Sequence, residues 1–385
     1  MPPPLARARF DDLSAGTALV FPPPRSVLTT HRTGEVAAVL EEVQRATAAG
    51  SWAYGFLGYE AAGGLDAGLE TAAAEPDGVP LAWFGIGDPP EQTDPVRTPG
   101  RSPRHVWSPD WTAGQHGAAV AVVRERIAAG ETYQCNLTDR LRTHGVTHPA
   151  ALYADLVLAQ RGAHNAYLDI GRFCIASASP ELFFEWRGDQ LRTRPMKGTA
   201  PRGGTAAEDR ARAGALQASA KERAENLMIV DLLRNDLGRL ARPGSVRVPA
   251  LFELERYPTV WQLTSEVTAR VGAEVDLLDV FRALFPCGSV TGAPKHRTMQ
   301  LIRELEPTPR GVYCGAIGFV APPEAPVRAR FNVAIRTAVV DRETGRAVYG
   351  AGGGITWDSD AAAEWAELLT KAAILGSGAA EHAPG

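Results

Sequence analysis

Two segments of the 385-residue chain carry carboxylates at helical-turn spacing. In KERAENLMIVDLLRNDL, Glu222 and Glu225 stand at i and i+3 and share a face. In DSDAAAEWAELLTKA, Glu364, Glu367 and Lys371 stand at i, i+3 and i+7, again on one face, with Trp365, Leu368, Leu369 and Ala372 turned away from it. Faces of this kind either lie in solvent or converge on a hard cation. Mg2+ takes oxygen ligands, keeps several waters and needs only one or two carboxylates beside an anionic substrate. A zinc centre is not expected, because the His residues are scattered.

Other residue types could join them. Glu181, in SASPELFF, follows a proline between two expected strands; apolar neighbours favour its neutral form, which suits a general acid, although a surface turn would place a Glu there too. Lys197, in RPMKGTAPRG, sits at a strand end between Met196 and Gly198. A partly desolvated lysine loses its proton more easily and can become a nucleophile, whereas most lysines are merely solvated. In RFNVAIRTAVV the alternation places Asn332, Ala334 and Arg336 on one strand face; a guanidinium inside an apolar strand needs an acidic partner or an anionic ligand. GAGGGITWDSD, residues 350–360, runs a strand into glycines and a capped helix, and glycine N–H groups can hold an anion. It matches neither a Walker nor a dinucleotide pattern. FPCGSVTGAPK, residues 285–295, reads as a tight turn before a helix.

Positioning these groups requires helices over 34–49, 111–130, 206–237, 276–285, 293–305 and 358–375. Strands are expected over VPLAWFGIG, YQCNLTDRLRTHG, RFCIASASPELFFEWRGDQLRTRPMKG, CGAIGFVAPP, RARFNVAIRTAVVD and residues 345–357. Strands joined by short turns, with helices in irregular order, indicate an α+β fold with mainly antiparallel sheets. The polar, breaker-rich stretch 88–105 marks the boundary between an N-terminal strand-rich portion, 1–105, which completes the fold, and a main portion, 106–385.

Forty basic residues against 44 acidic ones give a net charge of −4, which argues against nucleic-acid coating or adhesion to an anionic membrane. The longest apolar runs are near six residues (118–123), too short to span a bilayer, and the N-terminus lacks a signal-type apolar stretch. Cys135, Cys174, Cys287 and Cys314 have no CxxC spacing, so a reducing cytoplasm is expected.

Taken together and in order, SASPELFF, RPMKGTAPRG, AENLMIVDLLRNDLG, FPCGSVTGAPK, YCGAIGFV, FNVAIRTAVV and GAGGGITWDSDAAAEWAELLTKA resemble the chorismate-utilising enzymes over residues 110–375. The resemblance implies two large sheets around a cleft, and Mg2+ held by Glu225 and Glu367 with Glu222 and Glu364 beside them. It assigns the substrate carboxylates to Tyr313, Arg336, the backbone of Gly352 and Gly353, and Lys371. Glu181 matches the family's general acid, which protonates the departing C4 hydroxyl of chorismate.

Two positions discriminate among branches. Branches that form aminodeoxychorismate carry a lysine in P-x-K-G-T that attacks C2 before ammonia enters at C4; anthranilate-forming ones have Ala. This chain has Lys197. Where isochorismate-forming members carry a water-activating Lys, this chain has Gln134, a neutral group that cannot serve as a base. On these two positions the chain resembles the branch of aminodeoxychorismate synthase component I, in p-aminobenzoate and folate synthesis, with anthranilate synthase component I as the alternative. Gln262 stands where many members have a His tied to pyruvate elimination, and neither the segment linked to tryptophan control nor a glutaminase or lyase domain is found. Ammonia is expected from a separate glutamine amidotransferase subunit, and a downstream aminodeoxychorismate lyase would release pyruvate.

Overall fold

The computed structural model describes residues 7–257 and 260–376. Apolar spacing places the first helix at Val36–Ala48, where Val36, Val39, Leu40 and Val43 are buried, on the face the sequence indicates. It packs on strands Ser26–Thr30, Trp52–Leu57 and Ala82–Gly87, the last buried throughout. These three strands form one end of an antiparallel sheet that continues through Ala316–Val320, Ala329–Val333, Leu182–Arg187, Gln190–Arg194, Val260–Arg270 and Met196–Pro201.

The second antiparallel sheet runs from Glu91–Thr93 through Thr17–Phe21, Arg7–Asp12, His164–Asp169, Phe173–Ser179, Thr337–Asp341 and Arg346–Ile355 to Gln134–Thr143 and Gly292–Ala293. Among the described residues each sheet has ten strands. Facing side chains from both sheets, including Phe21, Ile175, Tyr54, Phe56 and Ile317, form one cluster between them. Helices Ala220–Gly238 and Leu277–Leu284 cover the outer face of the first sheet, and Pro149–Gln160 and Ala361–Ala372 that of the second.

Residues before and after position 105 share both sheets. The stretch 88–105 is not a free tether: it contributes strand Glu91–Thr93, Val96 donates its N–H to Asp11 at 2.8 Å, and Ser102 donates to Asp155 at 2.8 Å.

Three local readings need correction. The helix expected over 206–237 is two helices, Ala206–Ala218 and Ala220–Gly238, because Ser219 leaves the helical region (φ −62, ψ 114) and its hydroxyl caps the Glu222 N–H. RFNVAIRTAVV is not one alternating strand. Ala329–Val333 belongs to one sheet and Thr337–Asp341 to the other, and the chain crosses between them at 334–336, with Arg336 at φ 52. The hairpin Arg247–Arg256/Val260–Arg270 escapes sequence reading because its first strand pairs on one side only and carries Pro249 in a half-exposed pattern.

Candidate active site

The site lies where strands of the two sheets approach. Gln134–Thr143 and Arg346–Ile355 pair with Gly354 opposite Asn136. A β-carbon built on Gly354 would stand 2.5 Å from Gln134 Nε2 and 2.6 Å from Lys197 Nζ, so the missing side chain is what admits both groups. Lys197 comes from the opposite sheet, on strand Met196–Pro201, where the register slips between Met196 and Thr199 and Gly198 adopts φ +96. Only glycine takes that conformation without strain. The bulge turns Lys197 toward the second sheet and sets Gly198 against Glu222, whose Oε2 would be 2.9 Å from a β-carbon there. Asn226 steadies the loop: its amide donates to the Lys197 carbonyl at 3.5 Å and accepts from Ser265 at 2.6 Å.

Glu181 is buried between strands Phe173–Ser179 and Leu182–Arg187. Its Oε1 accepts from the Ser289 hydroxyl at 2.7 Å, with Cys287 Sγ at 3.9 Å. Burial pushes the carboxyl up to about 7; the Ser289 hydrogen bond and the nearby Lys197 charge oppose that push without cancelling it. At neutral pH a substantial share of Glu181 therefore carries a proton.

The carboxylates of the two helices come close enough to act on one another, Glu222 and Glu225 both feeling the charge of Glu367. The second, Ala361–Ala372, starts on Asp360, whose side chain accepts the Ala363 N–H at 2.9 Å. Glu364 accepts from Ser359 at 2.6 Å. Lys371 Nζ donates to the Gly352 carbonyl and to Glu367, both at 2.7 Å. At Gly353 a β-carbon would lie 3.0 Å from Glu364 Oε2, 3.7 Å from Lys371 Nζ and 3.9 Å from Glu367 Oε1. Gly352 instead turns toward the backbone of Leu137 and Thr138.

Burial, together with repulsion among the carboxylates, raises Glu222, Glu225 and Glu364 above the usual range. Burial pushes Glu367 the same way, but Lys371 overcomes it and holds that carboxyl down. Burial in turn lowers Lys371 against the pull of Glu367. Among the described residues no three acidic, His or Cys side chains close into a cage by themselves. The donor set is nevertheless all oxygen; with Lys371 on Glu367 and Lys221 3.9 Å from Glu225 it is partly neutralised, and it fits a hard dication completed by a substrate oxygen and water.

Of the two partners expected for Arg336, an acidic side chain is not the one found. Among the described residues it forms no ion pair; Nη1 donates to the Lys371 carbonyl at 2.7 Å, joined there by the Tyr349 hydroxyl at 3.2 Å. Tyr313 sits apart from the Lys197 groups. Its ring packs over Gly350, farther along the Gly354 strand, with the Arg140 guanidinium 5.5 Å away. Gln134 is fully buried, and neither end of its amide has a protein partner. A buried amide in that state is suited to a bound ligand or water. Gln262 lies opposite Thr199 in the sheet.

Residues 23–376 match the model of the chorismate binding enzyme family. The chain belongs to that family. It is 40% identical over 280 residues to aminodeoxychorismate synthase component 1 of Salmonella typhimurium, covering 73% of this chain and 60% of that protein. It is 43% identical over 280 residues to anthranilate synthase component 1 of Streptomyces coelicolor, covering 72% of this chain and 54% of that protein. The chain thus spans little more than half the length of these curated relatives. The crystal structure of anthranilate synthase component I from Streptococcus pneumoniae superposes with a TM-score of 0.82 at 25% identity, covering 95% of this chain and 93% of that one. The α+β architecture of two large antiparallel sheets is therefore the family's own.

Sequence reading did not single out Ser289 or Asn226. Each lay inside a quoted motif, Ser289 in FPCGSVTGAPK and Asn226 in AENLMIVD, yet their partners are far away in the chain. The four cysteines are free and buried. No helix among the described residues is long and apolar enough to cross a membrane.

Proposed function

We propose that this chorismate binding enzyme aminates chorismate to 4-amino-4-deoxychorismate, the precursor of p-aminobenzoate, using ammonia delivered by a separate glutamine-hydrolysing subunit. The observation that carries this reading is the placement of Lys197 Nζ against Gly354 and Gln134, within the electrostatic reach of Glu181. Overall similarity does not separate the two amination products, since relatives of both kinds match at about the same identity. A lysine at this position is the feature that resembles the aminodeoxychorismate-forming branch.

The chemistry balances on this chain's own groups. Lys197, after giving a proton to solvent, forms a bond from its amine to ring C2, both ring double bonds shift by one position, and the C4 hydroxyl leaves as water after taking the Glu181 proton. Ammonia then forms a bond at C4, both double bonds shift back, and the C2–N bond breaks. Lys197 departs as the amine, with surplus protons returned to Glu181 and solvent. Gln134, unable to take a proton from water, leaves ammonia as the nucleophile. Lys371 and the Gly352–Gly354 backbone orient the substrate, and Arg336 and Tyr349 fix the last helical turn that carries Lys371. Glu225 and Glu367, with Glu222 and Glu364, would hold Mg2+, which supplies neutralisation of the substrate's carboxylate charge.

The deciding experiment is product analysis by mass spectrometry and NMR after incubation with chorismate, Mg2+ and an ammonium salt. Aminodeoxychorismate is expected from the wild type, and K197A is expected to form no covalent adduct. Anthranilate or isochorismate as product would overturn the reading, as would unchanged turnover to the same product in K197A.

A further inference from the structure

Arg310 is among the most deeply buried charges in the molecule, with a side chain 1% exposed. Its pairing with Glu306 (2.6 and 2.9 Å) and its stacking 4.5 Å over the Tyr59 ring satisfy its charge. Its remaining donors go elsewhere. Nη1 donates to the Val290 carbonyl at 2.7 Å, and Nη2 to the Asn136 carbonyl at 2.8 Å. Val290 closes the single 3-10 turn Gly288–Val290 that presents Ser289 to Glu181. Asn136 is the strand partner of Gly354 and lies two residues from Gln134, the groups against which Lys197 rests. One rigid guanidinium fork thus grips the backbone behind the acid and the backbone behind the amine, and touches neither group itself. A planar fork suits this task, because it fixes two acceptors in one plane, which an ammonium does not.

We propose that Arg310 is a positioning residue that keeps the acid half and the amine half of the site in register through the carbonyls of Val290 and Asn136. The roles of acid and amine rest on the proposed amination; the register itself does not. Glu306, Arg140 and Thr138 form the surrounding network, with Thr138 donating through both N–H and hydroxyl to Glu306 at 2.9 Å. Glu60 anchors the Arg310 and Gly311 N–H groups at 2.7 and 2.9 Å without contacting either carbonyl. The groups facing Glu181 are Ser289 and Cys287 on one side and Lys197 on the other, so the first link Arg310 can disturb is the Ser289 hydrogen bond.

The test reads Glu181 in the free protein, so it holds whether or not chorismate is the substrate. Glutamate labelled with carbon-13 at Cδ is titrated by NMR, and the Glu181 resonance is assigned by its loss in E181Q. S289A is expected to move the Glu181 midpoint to higher pH, R310K to move it in the same direction, and R310K/S289A to move it no farther than S289A alone. E60Q, which disturbs the network but not the carbonyl grip, is expected to lower the melting temperature with the midpoint unmoved. Where R310K does not fold, R310Q, which leaves Glu306 its pairing with Arg140, is read in the same way. With chorismate turnover in hand, R310K should lower kcat about tenfold with KM nearly constant. No shift in S289A, a wild-type midpoint in the folded Arg310 variant, or shifts that add in the double variant would each overturn the proposal.

Discussion

Gly354 and Lys197 are in direct apposition across the two sheets: a β-carbon on Gly354 would fall 2.6 Å from Lys197 Nζ. The obstructed atoms are the tips of flexible side chains, so the fold can absorb an added methyl group, while the amine cannot keep its place. G354A is expected to melt within a few degrees of wild type and to lose at least about tenfold in turnover, equivalent to about 1.4 kcal/mol in the barrier. Calorimetry beside a product assay checks both halves.

The raised carboxyl of Glu181 sets a pH signature. The protonated form is the acid, so the rate should decline as pH rises through about 7. Stability carries the same sign. The folded state holds this proton more tightly than the unfolded chain does, so the contribution is fully present below the ordinary glutamate value and is lost as pH rises through about 7. Urea midpoints measured between pH 5 and 8 should therefore change less with pH in E181Q than in the wild type.

Acid should also oppose the metal. Glu222, Glu225 and Glu364 hold protons more readily than free glutamates, so a dication must displace protons as pH falls. Mg2+ affinity should fall on acidification. Calorimetric titration with Mg2+ in two buffers of different ionisation enthalpy should reveal proton release, reduced in E225Q. Removal of Mg2+ with EDTA should abolish turnover, and its return should restore it.

Lys371 joins a carbonyl of the glycine strand to Glu367. K371M should free the Gly352 carbonyl and let Glu367 titrate at higher pH, because its principal opposing charge is gone. The expected result is a folded protein with chorismate KM raised about ten- to hundredfold, since a removed charge-assisted contact is worth about 1.5–3 kcal/mol. Steady-state kinetics with a circular-dichroism control test it.

Glu306 is the counter-charge of two buried arginines, Arg310 and Arg140. E306A leaves both guanidinium groups without it and should cost about 3–5 kcal/mol, read as a lowered urea midpoint.

What the sequence determined was local. The i, i+3 carboxylate pairs, the Asp360 cap, the apolar face of Val36–Ala48 and the buried run Ala82–Gly87 all follow from local geometry over a few residues. The motif order also sufficed to indicate the family. Tertiary structure alone decided that 329–341 divides between two sheets, that Arg336 braces a helix end instead of pairing with an acid, and that Ser289 meets Glu181. Strand Gln134–Thr143 has the alternating pattern of a half-exposed strand yet is buried almost throughout, because helices Ala113–Ala128 and Lys295–Leu305 pack on it. Periodicity records which face of a segment is apolar. Which distant carbonyl or hydroxyl comes to rest on that face depends on packing between segments 35 residues apart for Arg336 and Lys371 and 108 for Ser289 and Glu181, and no short-range pattern encodes it.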